Sequence, residues 1–238
     1  MCLHLLSVDD CLKMVALAGA AIAFSVGLCQ YWKAQRWKRA EFLANEMRSF
    51  LDAPRVQRAL SLIDWGSRRL PLLENPGDNE KQVLFTREMQ ALGLRPHTLL
   101  GEAASDSETW TVDGSVARKG FTEEEVAIRD CYDAFLDGLE RFASYASTGL
   151  IDAPSLQPYI GYWIEQIASP AQDADDAAWC AALLTYVNFY KFEGVIVLFD
   201  EFKWDIRPTS PTYFSFLKRM KDQKLASQLA NTVGLAYS

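Results

Sequence analysis

The sequence lacks the short motifs that mark the commonest nucleotide, metal and nucleophile sites. It contains no G-x-x-x-x-G-K-S/T, no G-x-G-x-x-G, no H-E-x-x-H and no G-x-S-x-G. Histidine is scarce: His4 precedes the long apolar segment, and His97 follows Arg95 and Pro96 in a predicted loop. A single loop histidine is typical of a surface or capping group. We therefore predict no catalytic residue, no cofactor and no metal ligand, and we do not expect an enzyme.

Paired cysteines are missing as well. The five cysteines include no C-x-x-C pair, and their odd number does not fit a complete set of disulfides. No N-x-S/T acceptor with a permitted middle residue is present. These absences favour reduced thiols in the cytoplasm over a secreted domain. The cysteines are Cys2, Cys11, Cys29, Cys131 and Cys180.

Positive charge is concentrated near the N-terminus. The first 69 residues contain ten Lys and Arg residues against six Asp and Glu residues. The remainder contains 14 against 25, and the whole chain has a net charge of −7. An acidic surface repels nucleic acid and favours solubility, so we expect no nucleic-acid partner.

One segment has no charge. In residues 14–32, MVALAGAAIAFSVGLCQYW, only Ser25 and Gln30 are clearly polar. At ~1.5 Å per residue the segment spans roughly 28 Å as a helix, close to the ~30 Å apolar core of a bilayer. It predicts one transmembrane helix. The alternatives are a buried core helix and a cleaved signal peptide, although the residues around Val26 provide no convincing cleavage site.

The flanks of this segment predict its orientation. Asp9, Asp10 and Lys13 precede it, whereas four cations follow within seven residues. Because positive flanks stay cytoplasmic, we expect residues 1–13 outside the cytoplasm and the large C-terminal part inside it. The predicted partner is the lipid bilayer, since aromatic rings and cations favour the headgroup level. The predicted membrane-interface residues are Tyr31, Trp32, Lys33, Arg36, Trp37, Lys38 and Arg39.

Small residues recur every fourth position inside the apolar segment. Gly19, Ala23 and Gly27 form one stripe, which allows two helices to approach closely. The stripe predicts a homodimer through the transmembrane helix, and the alternative is a chance pattern in an Ala-rich segment.

The rest of the chain predicts a mainly α fold with one small β-hairpin. We expect a basic juxtamembrane helix over 33–52, a cytoplasmic helical domain over 53–205 and a C-terminal amphipathic helix over 206–238. Asp52-Ala53-Pro54 is typical of a helix end followed by a new start, and residues 68–73 pair with 82–85 in the predicted hairpin.

Capping residues predict further helix starts. Thr86 caps a short helix that ends near Gly93, and Thr122 with Glu125 forms a capping box for a helix over 123–147. Asp152 precedes a helix to about Ser169, with its buried side chains predicted at Leu156, Ile160, Trp163 and Ile167.

Two later stretches leave alternatives open, and a third does not. Residues 101–120 predict an exposed loop, or a short strand over 109–112. The apolar run 177–204 predicts a long helix kinked near Gly194, or a buried strand over 194–199. Ser210-Pro211 predicts a single C-terminal helix with a basic side.

Four groups of side chains have a structural and a functional interpretation. The carboxylates of the 123–147 helix are interpreted as a solvated face, the alternative being a cation site. The acidic residues at 173–176 favour a helix N-terminus, because the calcium-loop pattern fails. The aromatic residues are interpreted as core rather than a pocket, and the basic C-terminal residues as an ordinary solvated face rather than a membrane surface. The groups are Asp130, Asp133, Asp137 and Glu140; Asp173, Asp175 and Asp176; Trp163, Trp179, Tyr186, Phe189 and Tyr190; and Lys218, Arg219, Lys221 and Lys224.

Five stretches together resemble a family of uncharacterised bacterial, single-pass, membrane-anchored helical proteins known only as a domain of unknown function. The resemblance covers most of residues 14–170 and implies a bacterial inner membrane. It implies no known activity and no functional residues. The stretches are the anchor with YWKAQRWKRAEF, then ALSLIDWGSRRLPL, LRPH, EEEVAIRDCYDAFLDGLERFASYASTGLI and LQPYIGYWIEQI.

The leading functional hypothesis is a membrane-anchored interaction or sensing module that recruits an unknown cytoplasmic protein or self-associates. The second is a membrane-disrupting effector of a stress or phage-defence system, suggested by the Ala- and Gly-rich anchor. The third is an unrecognised enzyme that uses the carboxylate face.

Overall fold

The computed structural model describes residues 8–71, 82–100, 110–112, 115–117, 120–169 and 173–235. Within these residues the fold is mainly α, as predicted, with small antiparallel sheets. The helices are α1 (Val8–Asp52), α2 (Pro54–Asp64), α3 (Arg87–Gly93), α4 (Glu123–Ser147), α5 (Ala153–Ala168), α6 (Ala174–Phe189), α7 (Glu193–Glu201), α8 (Pro211–Arg219) and α9 (Gln223–Thr232), and the strands are β1 (Ser67–Pro71), β2 (Gln82–Thr86), β3 (Trp110–Val112) and β4 (Ser115–Ala117).

The chain divides into two compact units, Met1–Glu46 and Met47–Ser238. The first unit is represented in the described residues by the larger part of α1. The second unit, hereafter the helical domain, contains the last residues of α1 and all later elements. The predicted helix end is confirmed: α1 ends at Asp52, Ala53 is extended, and Pro54 occupies the first turn of α2.

The predicted hairpin is confirmed as β1 paired antiparallel with β2. Ser67 lies opposite Thr86, and Pro71 lies opposite Gln82 at the end of the ladder. The hydroxyl of Thr86 then accepts a hydrogen bond from the amide of Met89 and caps α3. Residues 72 and 73, at the end of the first predicted run, lie outside the described residues. In the 101–120 stretch the strand alternative holds for Trp110–Val112, which pairs with β4.

Helices α4 and α6 form the centre of the helical domain. The capping box at Thr122 and Glu125 is present, and α4 has the predicted bounds. Helix α4 packs against α2, α3 and α7, while α6 packs against α3, α7, α8 and α9. Nearly every residue of α6 from Ala177 to Val187 is buried. A helix that is apolar all round belongs inside a protein or a membrane, and here it is enclosed by other helices.

Three details of the helix predictions are wrong. The apolar run 177–204 is two helices, because the chain turns at Lys191 with a φ of 62°, and Gly194 to Phe199 lies in α7 and not in a strand. The C-terminal segment is also two helices, since Asp222 caps a new helix, α9. On α5 the structure buries Ile164 and not the predicted Trp163. Trp163 is partly exposed, and its indole donates a hydrogen bond to Asp64.

Candidate membrane anchor and polar clusters

The apolar surface of α1 is exposed to its surroundings. Leu17 is 76% exposed and Phe24 is 73% exposed. Leu12–Asp52 is the one helix in the described part of the chain that is long and apolar enough to cross a membrane. Its most apolar stretch is not buried within the protein. Exposed apolar side chains on every side of a helix are unfavourable in water and favourable in lipid.

The predicted interface residues lie at one end of this apolar surface. They occupy about two turns of α1, and all seven side chains are exposed. Three are aromatic and four are cationic, which is the combination that suits lipid headgroups. These residues are Tyr31, Trp32, Lys33, Arg36, Trp37, Lys38 and Arg39.

The small-residue stripe is also exposed. At ~100° per residue Gly19, Ala23 and Gly27 fall within a sector of about 80°. A Cβ atom added at Gly19 or Gly27 would meet no atom within 4 Å. The hydroxyl of Ser25 donates a hydrogen bond to the carbonyl oxygen of Ala21 at 2.8 Å. This bond satisfies the hydroxyl within the helix, as lipid requires.

A first polar cluster of the helical domain surrounds Arg129 on α4. Its guanidinium donates to the carbonyl oxygens of Gly93 and Arg95, both at 3.0 Å, and to the hydroxyl of Tyr190 at 2.9 Å. The guanidinium carbon also lies 4.3 Å from the ring centre of Phe121 and 4.8 Å from that of Tyr186. Arg129 therefore caps the C-terminal end of α3 with a cation, where the helix dipole favours one.

His97 belongs to the same cluster. Its backbone amide donates to the hydroxyl of Tyr190 at 3.3 Å, and its Nδ1 atom lies 2.9 Å from that hydroxyl. The oxygen of Tyr190 also accepts from Arg129, so this one hydroxyl joins α4 to the segment that contains His97. His97 lies in a 3₁₀ helix, His97–Leu100, rather than in an open loop.

Asp133 and Tyr186 form a short contact beside Arg129. The hydroxyl of Tyr186 donates to Asp133 at 2.6 Å. Burial raises the pKa of the Asp133 carboxyl, although this hydrogen bond and the charge of Arg129 oppose the shift. Burial also raises the pKa of Tyr186, and its bond to Asp133 adds to the increase. Both groups therefore favour their protonated forms more than they would in water.

A second polar cluster surrounds Arg87 at the start of α3. The guanidinium donates to the carbonyl oxygens of Leu62 and Ile63 at 2.7 and 2.8 Å, and to Asp176 at 2.7 Å. Its carbon lies 3.8 Å above the ring of Trp179. Arg87 thus caps α2 and joins it to α6, in the same way as Arg129 caps α3.

Gln90 completes the second cluster. Its Oε1 atom accepts from Arg87 at 3.2 Å and from the hydroxyl of Tyr132 at 2.9 Å, and the indole of Trp179 donates to that hydroxyl at 2.8 Å. The Nε2 atom of the fully buried Gln90 is the one buried side-chain polar atom in the described residues without a hydrogen-bond partner. These contacts hold α3, α4 and α6 in register.

The interpretation of the α4 carboxylates as a solvated face holds for two of the four residues. Asp130 and Asp137 are exposed, as a solvated face requires. Asp133 and Glu140 are instead structural acceptors, because Asp133 binds Tyr186 and Glu140 accepts from the amide of Val195 at 3.0 Å. The described residues contain no group of three or more His, Cys, Asp or Glu side chains placed to hold a metal ion.

The other predicted groups have structural positions. Asp173 caps α6 by accepting from the amides of Asp175 and Asp176, and Asp176 also pairs with Arg87. Trp179 and Tyr186 are buried, whereas Trp163, Phe189 and Tyr190 are partly exposed. Four basic residues around the junction of α8 and α9 are exposed. They are Lys218, Arg219, Lys221 and Lys224.

Sequence reasoning missed both arginine clusters. Each arginine acts on carbonyl groups of another helix, so no local pattern marks it. Comparison with known proteins adds no assignment, since no protein-family model, no curated protein and no solved structure matches this chain.

Proposed function

We propose that the chain is a single-pass membrane protein whose helical domain lies in the cytoplasm and acts as an interaction or sensing module. The observation that carries the proposal is the exposed apolar surface of α1, whose most apolar stretch is not buried within the protein. Transfer of this surface from water to lipid is favourable by about 25 cal/mol per Å².

The charge distribution supports the proposed orientation. Lys33, Arg36, Lys38 and Arg39 follow the apolar segment, and cationic flanks are retained on the cytoplasmic side. The family resemblance noted above adds a bacterial inner membrane to the proposal. Reduced cysteines agree with a cytoplasmic domain, and Cys131 and Cys180 are buried within it.

The polar clusters support a scaffold role for the helical domain. The side chains of Arg87 and Arg129 use their donors on main-chain carbonyls and on neighbouring side chains. Such groups stabilise helix ends and are not presented to a substrate. The proposed partners are therefore the bilayer, a second copy bound through Gly19, Ala23 and Gly27, and a cytoplasmic protein.

Membrane extraction tests the anchor. Full-length protein should remain in the pellet after washing with alkaline carbonate and should enter solution only with detergent. Release by carbonate alone would show that α1 is not embedded in lipid, and the proposal would then fail.

Cross-linking in the membrane tests the second copy. Replacement of Gly19 and Gly27 by isoleucine should reduce a cross-linked dimer, because bulky side chains keep the two backbones apart. The control is Ala21→Ile, which adds the same side chain about 160° away from the stripe. Equal cross-linking of the wild type, the variant at Gly19 and Gly27, and Ala21→Ile would exclude this stripe as the dimer contact.

A further inference from the structure

Three exposed aromatic side chains of the helical domain lie on or next to α2 and α5, two helices that pack against each other. Among its described residues seven large hydrophobic side chains are exposed, and three of these are aromatic: Trp65 at 57%, Tyr162 at 56% and Tyr159 at 39%. Trp65 directly follows α2, and the two tyrosines lie on α5, which packs against α2. We call Trp65, Tyr159 and Tyr162 the aromatic corner.

Trp163 holds this corner together. Its indole nitrogen donates to the carboxylate of Asp64, the residue before Trp65, at 3.1 Å. Its ring also packs edge-on against Tyr162, with ring centres 6.0 Å apart. The exposed rings are therefore attached to two helices that are fixed to each other, so their backbone positions do not need to be ordered on binding.

The charges at the corner differ from those of the rest of the domain. Arg68 and Arg69 are exposed in β1, and the guanidinium of Arg68 lies 5.6 Å from the ring centre of Trp65. Two carboxylates also lie here, Asp64 beside Trp65 and Glu165, the one charged residue in the sequence of α5, so the corner carries no net charge. By contrast, residues 70–238 carry 14 Lys and Arg residues against 25 Asp and Glu residues. An anionic surface would attract the arginines and repel the acidic remainder.

We propose that the aromatic corner docks on the anionic headgroup surface of the bilayer, an inference that rests on the proposed membrane anchor. The Tyr and Trp rings enter the headgroup layer, where amphipathic rings are stable, and Arg68 and Arg69 bind lipid phosphates. The domain is then attached at two places, by α1 and by the corner. Docking follows the anionic lipid content of the membrane, which gives the domain a way to sense it.

Site-directed fluorescence in nanodiscs tests this docking. Full-length protein is placed at one chain per disc, in phosphatidylcholine with or without phosphatidylglycerol. Cys2, Cys11 and Cys29 are replaced by serine, and a fluorophore is attached at Tyr162→Cys. The matched control carries the fluorophore at Gln228→Cys, an exposed position on α9.

The expected result is specific for position and for lipid. With phosphatidylglycerol, a nitroxide on the lipid headgroup should quench the label at 162, and iodide in the water should quench it less. The label at 228 should show neither change. The double variant Arg68→Gln and Arg69→Gln should shift the docking equilibrium by about 25-fold towards the free form, because each cation near an anionic surface contributes about fivefold. The variant with lysine at both positions should dock, since it keeps the charge.

Three outcomes would overturn the proposal. Equal iodide access at 162 and 228 in both lipids would show that the corner stays in water. Protection that requires two chains per disc would assign the corner to a second copy, and protection that requires added cytosol would assign it to a protein partner. Failure of the chain to enter discs would instead contradict the proposed membrane anchor, so the two failures are distinguishable.

Discussion

At the residue scale, Gly138 on α4 shows how closely the core of the helical domain is packed. A Cβ atom at this position would lie 2.1 Å from Cε2 of Phe50. The ring of Phe50 is itself held by Phe135 and Phe142, whose ring centres lie 6.0 and 5.3 Å away. The ring has no free space to move into, so the glycine is required by contact and not by backbone conformation.

Gly138→Ala should therefore destabilise the domain by about 1–3 kcal/mol, the usual cost of forcing an extra methyl group into a packed core. Thermal unfolding of the detergent-solubilised protein, followed by circular dichroism, measures the change. Gly120→Ala is the control, because a Cβ atom there would meet nothing within 4 Å. Equal melting temperatures for the two variants would show that α4 and Phe50 are not in this contact.

Asp133 predicts a pH dependence of stability at the same scale. Burial raises the pKa of its carboxyl above the ordinary value of 3.8 in the folded protein. The stabilisation from this group is therefore complete below about pH 3.8 and is lost as pH rises through the raised pKa. Above the raised pKa the ionised carboxylate opposes folding.

Asp133→Asn should gain stability relative to the wild type as pH rises from about 4 to 8. The amide oxygen still accepts the hydrogen bond of Tyr186, so the geometry is kept. The measurement is the difference in melting temperature between variant and wild type across this pH range. Glu201→Gln, which removes one exposed charge, is the control. A difference that is constant with pH would contradict the effect of burial.

At the element scale, helix starts are the features that the sequence predicts best. The capping box at Thr122 and Glu125 and the cap at Thr86 depend on contacts within three residues, and both are present. Helix breaks that depend on distant packing were missed. The turn at Lys191 carries no Gly or Pro, and the apolar residues on both sides favour one continuous helix. Asp222 does carry a capping signal, but the basic residues around it favour a single amphipathic helix.

Periodicity also leaves adjacent positions unresolved. On α5 Trp163 and Ile164 both fit an apolar stripe, and the structure buries Ile164. Trp163 is placed by its bond to Asp64, a residue 99 positions earlier. The same limit applies to Arg87 and Arg129, because their carbonyl partners belong to other helices. Local chemistry therefore predicts the elements, and distant partners decide how the polar groups are used.

The turn between α6 and α7 leads to a testable prediction. Lys191 has a φ of 62°, a left-handed conformation that costs a residue with a Cβ atom about 1 kcal/mol. Lys191→Gly should therefore leave stability unchanged or increase it by up to about 1 kcal/mol, although glycine also stabilises the unfolded chain. Lys218→Gly is the control, since Lys218 lies within α8 and glycine there should destabilise by about 1 kcal/mol. Urea unfolding measures both, and equal losses would contradict the left-handed turn.

At the scale of the whole molecule, the two units differ in whether other helices of the protein cover their apolar helix. The helical domain encloses its own apolar helix, α6, by packing other helices around it. The apolar part of α1 has no such cover within the protein. Both segments are apolar on several sides, so hydrophobicity alone does not separate a core helix from a membrane helix. The neighbouring charges do differ: cations follow the apolar segment of α1, whereas acidic residues lie at the N-terminus of α6, at its cap Asp173 and at Asp175 and Asp176.

The cationic flank of α1 should decide which way the chain faces. Replacing Lys33, Arg36, Lys38 and Arg39 by glutamine, together with Asp9→Lys and Asp10→Lys, moves the positive charge to the other end of the segment. The helical domain should then be exported, because positive charge within about 15–20 residues of a membrane helix is kept in the cytoplasm. Fusions at the C-terminus report this: green fluorescent protein should lose its fluorescence, and alkaline phosphatase should become active.

The matched control removes the same number of cations far from the membrane segment. Lys218, Arg219, Lys221 and Lys224 are replaced by glutamine, and the chain should keep its original orientation because these residues lie beyond the range of the effect. If both variants keep fluorescence, then the flank does not set the orientation. If the unaltered chain itself shows active phosphatase, then the domain is outside the cytoplasm and the sensing role proposed for it must be assigned to the other side of the membrane.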